Sequence, residues 1–159
     1  MIEISQILKL ATVFVLRYLL FAGFAFLVFY VLFKQFFKKN KIQEKSAKKQ
    51  DFGREILYSL QTNLIFVGIA VFVEFGPIGG RSQMYANIHD YPLWYLPLSV
   101  VFALIIHDTY FYWMHRTLHI EPLYKWMHKT HHLSVNPSPW ASFAFHIGES
   151  VLESLIIIL

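Results

Sequence analysis

The chain has 159 residues, enough for one domain, and 56% of them are hydrophobic whereas only 15% are charged. Soluble domains carry about 25% charged residues, so this composition indicates a membrane protein. There is no cysteine, which excludes disulfides, thiolate metal ligands and cysteine nucleophiles. The formal net charge of +4 favours contact with anionic lipid over contact with nucleic acid.

The first apolar segment runs from Ile7 to Phe33 and predicts a transmembrane helix, because about 23 helical residues reach roughly 35 Å. Arg17 interrupts this segment, and we expect it near the first interface because an arginine inside a span is costly. The next segment, Lys34 to Gln50, has seven lysines and one glutamate. Such a lysine-rich loop is typical of the cytoplasmic side.

Two more apolar segments predict spans, one from Ile56 to Phe75 and one from Leu93 through Trp113. Gln61 and Asn63 lie in the first of these and are expected to bond between helices or to waters. The Gly- and Pro-containing loop from Gly76 to Pro92 separates the two spans. From His146 onward a fourth apolar helix begins. The sequence therefore predicts an all-α fold, an integral membrane helical bundle that crosses the bilayer several times.

The third span leads into a histidine-rich stretch, His107 to His132, which holds six of the eight histidines. One pair has the spacing HxxxH, and a group of three follows as HxxHH. Residues three or four apart share a helix face, and imidazole is the commonest neutral metal ligand. Five imidazoles are more than one tetrahedral zinc needs, so the pattern predicts two metal ions. The predicted ligands are His115, His119, His128, His131 and His132.

Four further residues are candidates, either as ligands or as groups that orient a ligand: His107, Asp108, His146 and Glu149. Asp108 lies two turns before His115, although pairing with Arg116 or Lys125 would equally explain it. His146, Glu149 and Glu153 share a face and either join the metal site or line an aqueous edge. Sequence assigns no catalytic residue beyond the ligands.

Two more features can be explained without a role in the metal site. The aromatic run Tyr110 to Trp113 fits either a membrane-interface belt or a wall around an oxidising centre. His89 stands alone in a loop, where a histidine is usually exposed to solvent.

The two histidine boxes resemble those of the fatty acid hydroxylase / sterol desaturase superfamily of integral membrane di-iron oxygenases. FYWMHRTLH (Phe111–His119) is similar to the first box and LYKWMHKTHH (Leu123–His132) to the second. The NPSPW segment with His146 and Glu149 is also similar, although Ile147 stands where the family usually has proline. The resemblance divides the chain into residues 1–50, the first span and lysine-rich loop, and residues 51–159, a hydroxylase-like domain.

This resemblance implies a cytoplasmic, histidine-rich cap in which the five histidines bind two iron ions, with zinc as a substitute. It implies O2-dependent hydroxylation or desaturation of a fatty acyl chain or sterol. Electrons would come from NAD(P)H through a redox partner, a reductase with a haem-protein or ferredoxin-type carrier. The family has another histidine box beyond a fourth span. We therefore expect this chain to be the N-terminal part of such an enzyme, or to complete its site with another chain.

Other functions remain open at this stage. A relative of the family could cleave an ether lipid by hydroxylation. A bis-histidine haem protein that carries electrons would need one histidine on each of two facing helices, which leaves HxxHH unexplained. A non-catalytic membrane protein with structural zinc is the third class. A zinc protease is disfavoured because no HExxH occurs.

Overall fold

A computed structural model describes residues 3–40, 47–77 and 87–158. The α-helices are α1 (Ile4–Phe26), α2 (Lys34–Phe37), α3 (Lys49–Phe75), α4 (Tyr95–Leu118), α5 (Lys129–His132) and α6 (Ile147–Ser154). The π-helical stretches are Leu27–Leu32 and Tyr124–His128, and 3-10 turns lie at Lys38–Asn40, Ile88–Asp90, Pro139–Phe143 and Leu155–Ile158. No strand occurs in these three ranges, and the predicted all-α fold is confirmed.

Within the part of the chain that the structure describes, three helices are long and apolar enough to cross a bilayer: Ile4–Leu32, Lys49–Phe75 and Tyr95–Leu118. With 29, 27 and 24 residues they reach about 35–45 Å at 1.5 Å per residue, more than the hydrocarbon core requires. Large apolar side chains on their outer faces, such as Phe24, Leu57 and Phe102, are exposed. A protein in water would rarely expose so much apolar surface, so the prediction of a multi-pass membrane protein is confirmed.

The observed ends differ from those that hydropathy predicts. Helix α3 begins at Lys49 rather than Ile56, because its first turn is capped: the Lys48 backbone N–H donates to Asp51 Oδ2 at 2.9 Å. Within the predicted lysine-rich loop, Lys34–Phe37 forms one helical turn, while residues 41–46 lie outside the described ranges, as do residues 78–86 of the second predicted loop. The predicted fourth helix is α6, continued by a 3-10 turn to Ile158.

The interior is held together by polar contacts on the 3-10 turn Pro139–Phe143. The Trp140 carbonyl accepts hydrogen bonds from the hydroxyls of Tyr18 on α1, at 3.0 Å, and Ser59 on α3, at 2.8 Å. Asn63 donates to the Ser59 carbonyl of its own helix at 2.7 Å, a partner that was not among those expected for this amide. In a bilayer, where water cannot compensate, these contacts fix the turn against two spans.

Helix α6 is fastened to both of its neighbours. Thr62 on α3 and Ser150 on α6 join their hydroxyls at 2.8 Å, and the hydroxyl of Tyr110 on α4 donates to the Leu152 carbonyl. Most of α4 faces outward, and Met114 and Leu118 near its end are its buried residues. The end of α4 is therefore the part that is packed into the protein.

A buried carboxylate, Glu55, anchors the segment that leads into this turn. Its side chain is fully buried, the Ser138 hydroxyl donates to its Oε2, and its Oε1 has no partner. A buried carboxylate oxygen without a hydrogen bond costs about 1–3 kcal/mol or more, so the one bond to Ser138 matters for stability.

We expect Ser138→Ala to lower the free energy of unfolding by about 1–3 kcal/mol, because it leaves both Glu55 oxygens without a donor. Unfolding in mixed micelles by SDS, followed by circular dichroism, measures this. Ser99→Ala is the matched control, since that hydroxyl bonds only the Leu96 carbonyl of its own helix at the surface. Equal unfolding midpoints for the two variants would contradict the role of Ser138.

Candidate metal centre

Five histidines come together where the end of α4 meets the π-helical turn and α5. His115 and His119 lie one turn apart at the end of α4, while His128, His131 and His132 follow after the chain has turned back. The ring of His128 is central, with its centroid 4.5 Å from His115, 4.7 Å from His119 and from His132, and 5.4 Å from His131. We call these five rings the histidine cluster.

The ring nitrogens within the cluster form two close pairs. His115 Nε2 lies 3.2 Å from His119 Nε2, and His128 Nε2 lies 3.0 Å from His132 Nε2. Two imidazoles that bind one metal at about 2.1 Å, with an angle of roughly 90–110°, have nitrogens about 3.0–3.4 Å apart. The pairs thus have the spacing of neighbouring ligands on a metal. The nitrogens of His115, His119 and His128 also lie within 4.8 Å of one another.

Burial keeps the inner rings of the cluster uncharged. His128 is fully buried, and burial, followed by the charges of the surrounding imidazoles, lowers its pKa to about 3. The pKa of His131 is lowered too, chiefly by burial. A neutral imidazole is the form that binds a metal, so the inner rings are ready to act as ligands near neutral pH. Of the five rings, those of His119 and His132 are exposed, which leaves one side of the cluster open.

Glu149 on α6 holds His128 in this position. Its Oε1 is 2.7 Å from His128 Nδ1, and both side chains are fully buried. With Nδ1 occupied by the carboxyl, Nε2 of the same ring points toward the other histidines. A carboxylate that orients a histidine in this way is the usual partner of a metal-binding imidazole. The sequence analysis named Glu149 only as one of four further candidates for a ligand or an orienting group.

The imidazole nitrogens of the cluster suit a metal ion. The ability of Glu149 to take a negative charge suits one as well. Its Oε2 is buried without a partner, and burial, followed by the nearby Glu153 carboxyl, raises its pKa to about 9. A buried carboxyl without a nearby cation keeps its proton, whereas positive charge at the cluster would favour the ionised form. Borderline nitrogen ligands suit zinc, copper, iron and nickel.

The other three candidates lie outside the cluster. Asp108 bonds His107 Nδ1 at 3.2 Å, and both side chains are largely exposed; Asp108 is thus not bonded to His115, Arg116 or Lys125. The His146 side chain caps α6 by accepting from the Gly148 backbone N–H at 3.2 Å. The lone His89 is exposed, as expected.

Aromatic rings cover the cluster on several sides. Phe111 stacks on His115 with 5.6 Å between centroids, Tyr124 stacks on His119 at 5.9 Å, and Phe145 lies 5.1 Å from His131. Of the aromatic run singled out in the sequence, Phe111 therefore contacts the cluster, whereas Tyr112 and Trp113 are exposed beside Arg116.

Sequence reasoning named Tyr124 only as part of the second histidine box, and it missed Phe145 and the pair of Glu55 and Ser138. Tyr124 lies four residues before His128, so helical spacing signals it. Phe145 and the pair come from distant segments and carry no sequence signal of their own.

Comparison with known proteins finds a family match for the segment that contains the histidine cluster. Residues 100–159 match the family model described as fatty acid hydroxylase, and this stretch contains all five clustered histidines and Glu149. Human lathosterol oxidase is 31% identical over 142 residues, which are 87% of this chain and 46% of that protein. A Delta(7)-sterol 5(6)-desaturase of Schizosaccharomyces pombe is 33% identical over 141 residues, 88% of this chain and 41% of that protein.

The chain belongs to the fatty acid hydroxylase / sterol desaturase superfamily. It spans less than half the length of these superfamily members, and no solved structure gives a significant match. The family model begins within α4, so the part that matches it is α4, the cluster and α6, whereas α1 and α3 lie outside.

We expect Glu149→Gln to weaken metal binding about 10- to 100-fold, because the amide holds the His128 ring less firmly than a carboxylate does. Titration of the purified protein with Fe²⁺ or Zn²⁺ under anaerobic conditions measures the affinity. Glu153→Gln on the same helix is the matched control, since it makes the same change from carboxyl to amide and no hydrogen bond joins Glu153 to a histidine. An affinity that falls equally in both variants would speak against orientation by Glu149.

Proposed function

We propose that this chain carries part of the metal centre of a membrane-bound non-haem di-iron oxygenase that hydroxylates or desaturates a lipid. The observation that carries the proposal is the convergence of two Nε2 pairs at ligand spacing in one cluster, next to spans that contact the bilayer. The lipid is a fatty acyl chain or a sterol. The printed names of the relatives, lathosterol oxidase and Delta(7)-sterol 5(6)-desaturase, favour a sterol.

Five imidazoles supply roughly half of the ligands that two iron ions accept, so the proposal includes further ligands from another segment or chain. They would approach from the open side of the cluster, where His119 and His132 are exposed. Residues 51–159 are proposed to form the hydroxylase-like part, and residues 1–50 the preceding span and lysine-rich loop.

The bound iron would supply the activation of O2, which acid–base side chains cannot accomplish. Hydroxylation consumes the lipid C–H, one O2, two electrons and two protons, and yields the alcohol and one water. Desaturation consumes two adjacent C–H groups with the same co-reactants and yields the double bond and two waters. Electrons from NAD(P)H would arrive through a separate redox partner on the cytoplasmic side.

The chain's own residues would orient ligands and exclude water. Glu149 would accept a hydrogen bond from the Nδ1–H of His128 and so fix the direction of Nε2 of that ring. Phe111 and Phe145 cover the cluster on two sides, so a reactive centre there would be shielded from bulk water and from the protein's polar groups. No side chain needs to act as a general base for the C–H bond.

The same distances disfavour a bis-histidine haem. Its two axial nitrogens stand about 4 Å apart on opposite sides of the iron, with a porphyrin between the rings. Ring centroids separated by 4.5–5.0 Å, with nitrogens at 3.0–3.2 Å, leave no space for a porphyrin. Zinc could occupy the same ligands without redox chemistry, so the experiment must separate zinc from iron.

We expect His119→Ala to lower both the iron content and the O2- and reductant-dependent product by at least tenfold. Iron is measured by mass spectrometry and product by chromatography of extracted lipids, with the whole protein in membranes. His89→Ala is the matched control, because this histidine is exposed and far along the chain from the cluster. Zinc retention without any oxygenated product, or a strong Soret band, would refute the proposal.

Orientation in the membrane can be tested on a background that has no cysteine. We expect Lys45→Cys in the lysine-rich loop and Lys125→Cys beside the cluster to react with a membrane-impermeant maleimide from the same face, the cytoplasmic one. Arg81→Cys, between the second and third spans, should react from the opposite face. If position 125 is labelled together with position 81, the cluster is not cytoplasmic.

A further inference from the structure

Next to the histidine cluster lies a cavity of about 330 Å³ between α1, α3, α4 and α6, at the lower end of the range typical for ligand sites. Eight of its thirteen lining residues are phenylalanine or isoleucine, which suits an apolar ligand. All three spans contribute, for example with Phe14, Phe66 and Phe111. A lipid could therefore reach the cavity from the bilayer.

The cavity and the histidine cluster share two aromatic walls. Phe111 lines the cavity and stacks on His115, and Phe145 lines the cavity and contacts His131. A ligand in the cavity would thus be separated from the cluster by the width of these rings. The cavity is therefore the neighbour of the cluster, with one layer of aromatic rings between them.

Polar groups in the cavity wall are few, and most of them are already bonded. The Tyr110 hydroxyl donates to the Leu152 carbonyl, and the Ser154 hydroxyl donates to the Val151 carbonyl at 2.7 Å. Glu153 differs, because its side chain lines the cavity and its Oε1 is buried with no hydrogen-bond partner among the described residues. Burial also raises the pKa of this carboxyl to about 8. Burying a carboxyl with an unpartnered oxygen beside an apolar cavity is costly, and a ligand that hydrogen-bonds this carboxyl would offset part of that cost.

We propose that this cavity binds the alcohol end of a membrane lipid, and that the Glu153 carboxyl forms a hydrogen bond with the hydroxyl of that lipid. A hydroxyl can donate to a carboxylate and accept from a protonated carboxyl, so it suits Glu153 in either state. A fatty acid or a phospholipid headgroup is disfavoured, because its negative charge would meet this carboxyl, and none of the thirteen lining residues is lysine or arginine.

This inference rests on the proposed function and narrows its substrate class to lipid alcohols. Glu153 lies one helical turn after Glu149, about 6 Å along α6. The hydroxyl of the ligand would therefore sit close to the metal centre, and its hydrocarbon would extend along the apolar wall. Glu153 is a residue that determines substrate specificity, and it has no contact with the clustered histidines.

The test uses the full chain in phospholipid nanodiscs and dehydroergosterol, a fluorescent sterol with a free 3-hydroxyl. Energy transfer from tryptophan reports binding, and the 3-O-methyl ether of the same sterol is the matched ligand. We expect the wild-type protein to bind the alcohol about tenfold more tightly than the ether, as the loss of one good hydrogen bond implies. Oleate should compete poorly with the alcohol.

Glu153→Leu should bring the affinity for the alcohol down to that for the ether, and Glu153→Gln should keep most of the preference. Ile69→Phe, which fills the cavity, should weaken binding of both ligands. Equal binding of alcohol and ether by the wild-type protein overturns the proposal, as does a preference that persists in Glu153→Leu. Absence of saturable binding overturns it too, since the cavity then holds something else, such as another protein segment.

Metal content of the same samples separates this inference from the proposed function. Glu153→Leu should load metal like the wild-type protein while it loses the preference for the alcohol. A protein that prefers the alcohol but binds no iron would refute the oxygenase and leave the alcohol site standing. A protein that binds iron without the preference would refute the alcohol site alone. If Glu153→Leu does not fold, the ligand comparison on the wild-type protein and Glu153→Gln still decides the question.

Discussion

The hydrogen bond between His128 and Glu149 connects the histidine cluster to the membrane-embedded part of the protein. His128 has the central ring of the cluster, and its Nδ1 lies 2.7 Å from a carboxyl on α6. Helix α6 is itself bonded to α3 through Ser150 and to α4 through Leu152. The direction of one imidazole is therefore set by the packing of the spans. Both partners are fully buried, so losing either would leave a polar group in an apolar interior at high cost.

The bilayer explains why so few polar bonds hold the bundle. Apolar side chains gain little by leaving lipid for protein, so outward-facing helices such as α4 have no strong drive to pack. Specific contacts then decide the arrangement, and here they converge on the Trp140 carbonyl and on the pair of Glu55 and Ser138. These contacts fix the segment between the second histidine box and α6. Through α6 they also fix the position of Glu149.

The histidine cluster and the adjacent cavity share two walls. Phe111 and Phe145 form part of both, and the two glutamates of α6 face different neighbours one turn apart. Glu149 meets a histidine, whereas Glu153 meets an apolar space. Under the functions proposed above, the same helix would orient a metal ligand and contact a lipid, so the lipid would bind next to the place where the chemistry occurs.

Much of this protein follows from local pattern. Apolar runs of about twenty residues predicted the spans, because a helix is the way for a single segment to satisfy its backbone in lipid. Helical spacing brought His115 to His119 and His128 to His132, since residues four apart share a face. The helix ends were predicted less well. The N-terminal turn of α3 is polar, and its helical state depends on the Asp51 cap and on the burial of Glu55.

By itself, the sequence determined the all-α membrane class, the two histidine groups and the family, because each depends on neighbours along one helix or on a continuous motif. Only the tertiary structure decided that the two groups form a single cluster, that Glu149 rather than Asp108 contacts a clustered histidine, and that Glu153 faces a cavity. Those outcomes depend on contacts between different segments, such as His128 with Glu149, 21 positions apart, and Phe14 with Glu153 around one cavity. Such contacts arise from the packing of whole helices, which no local spacing specifies.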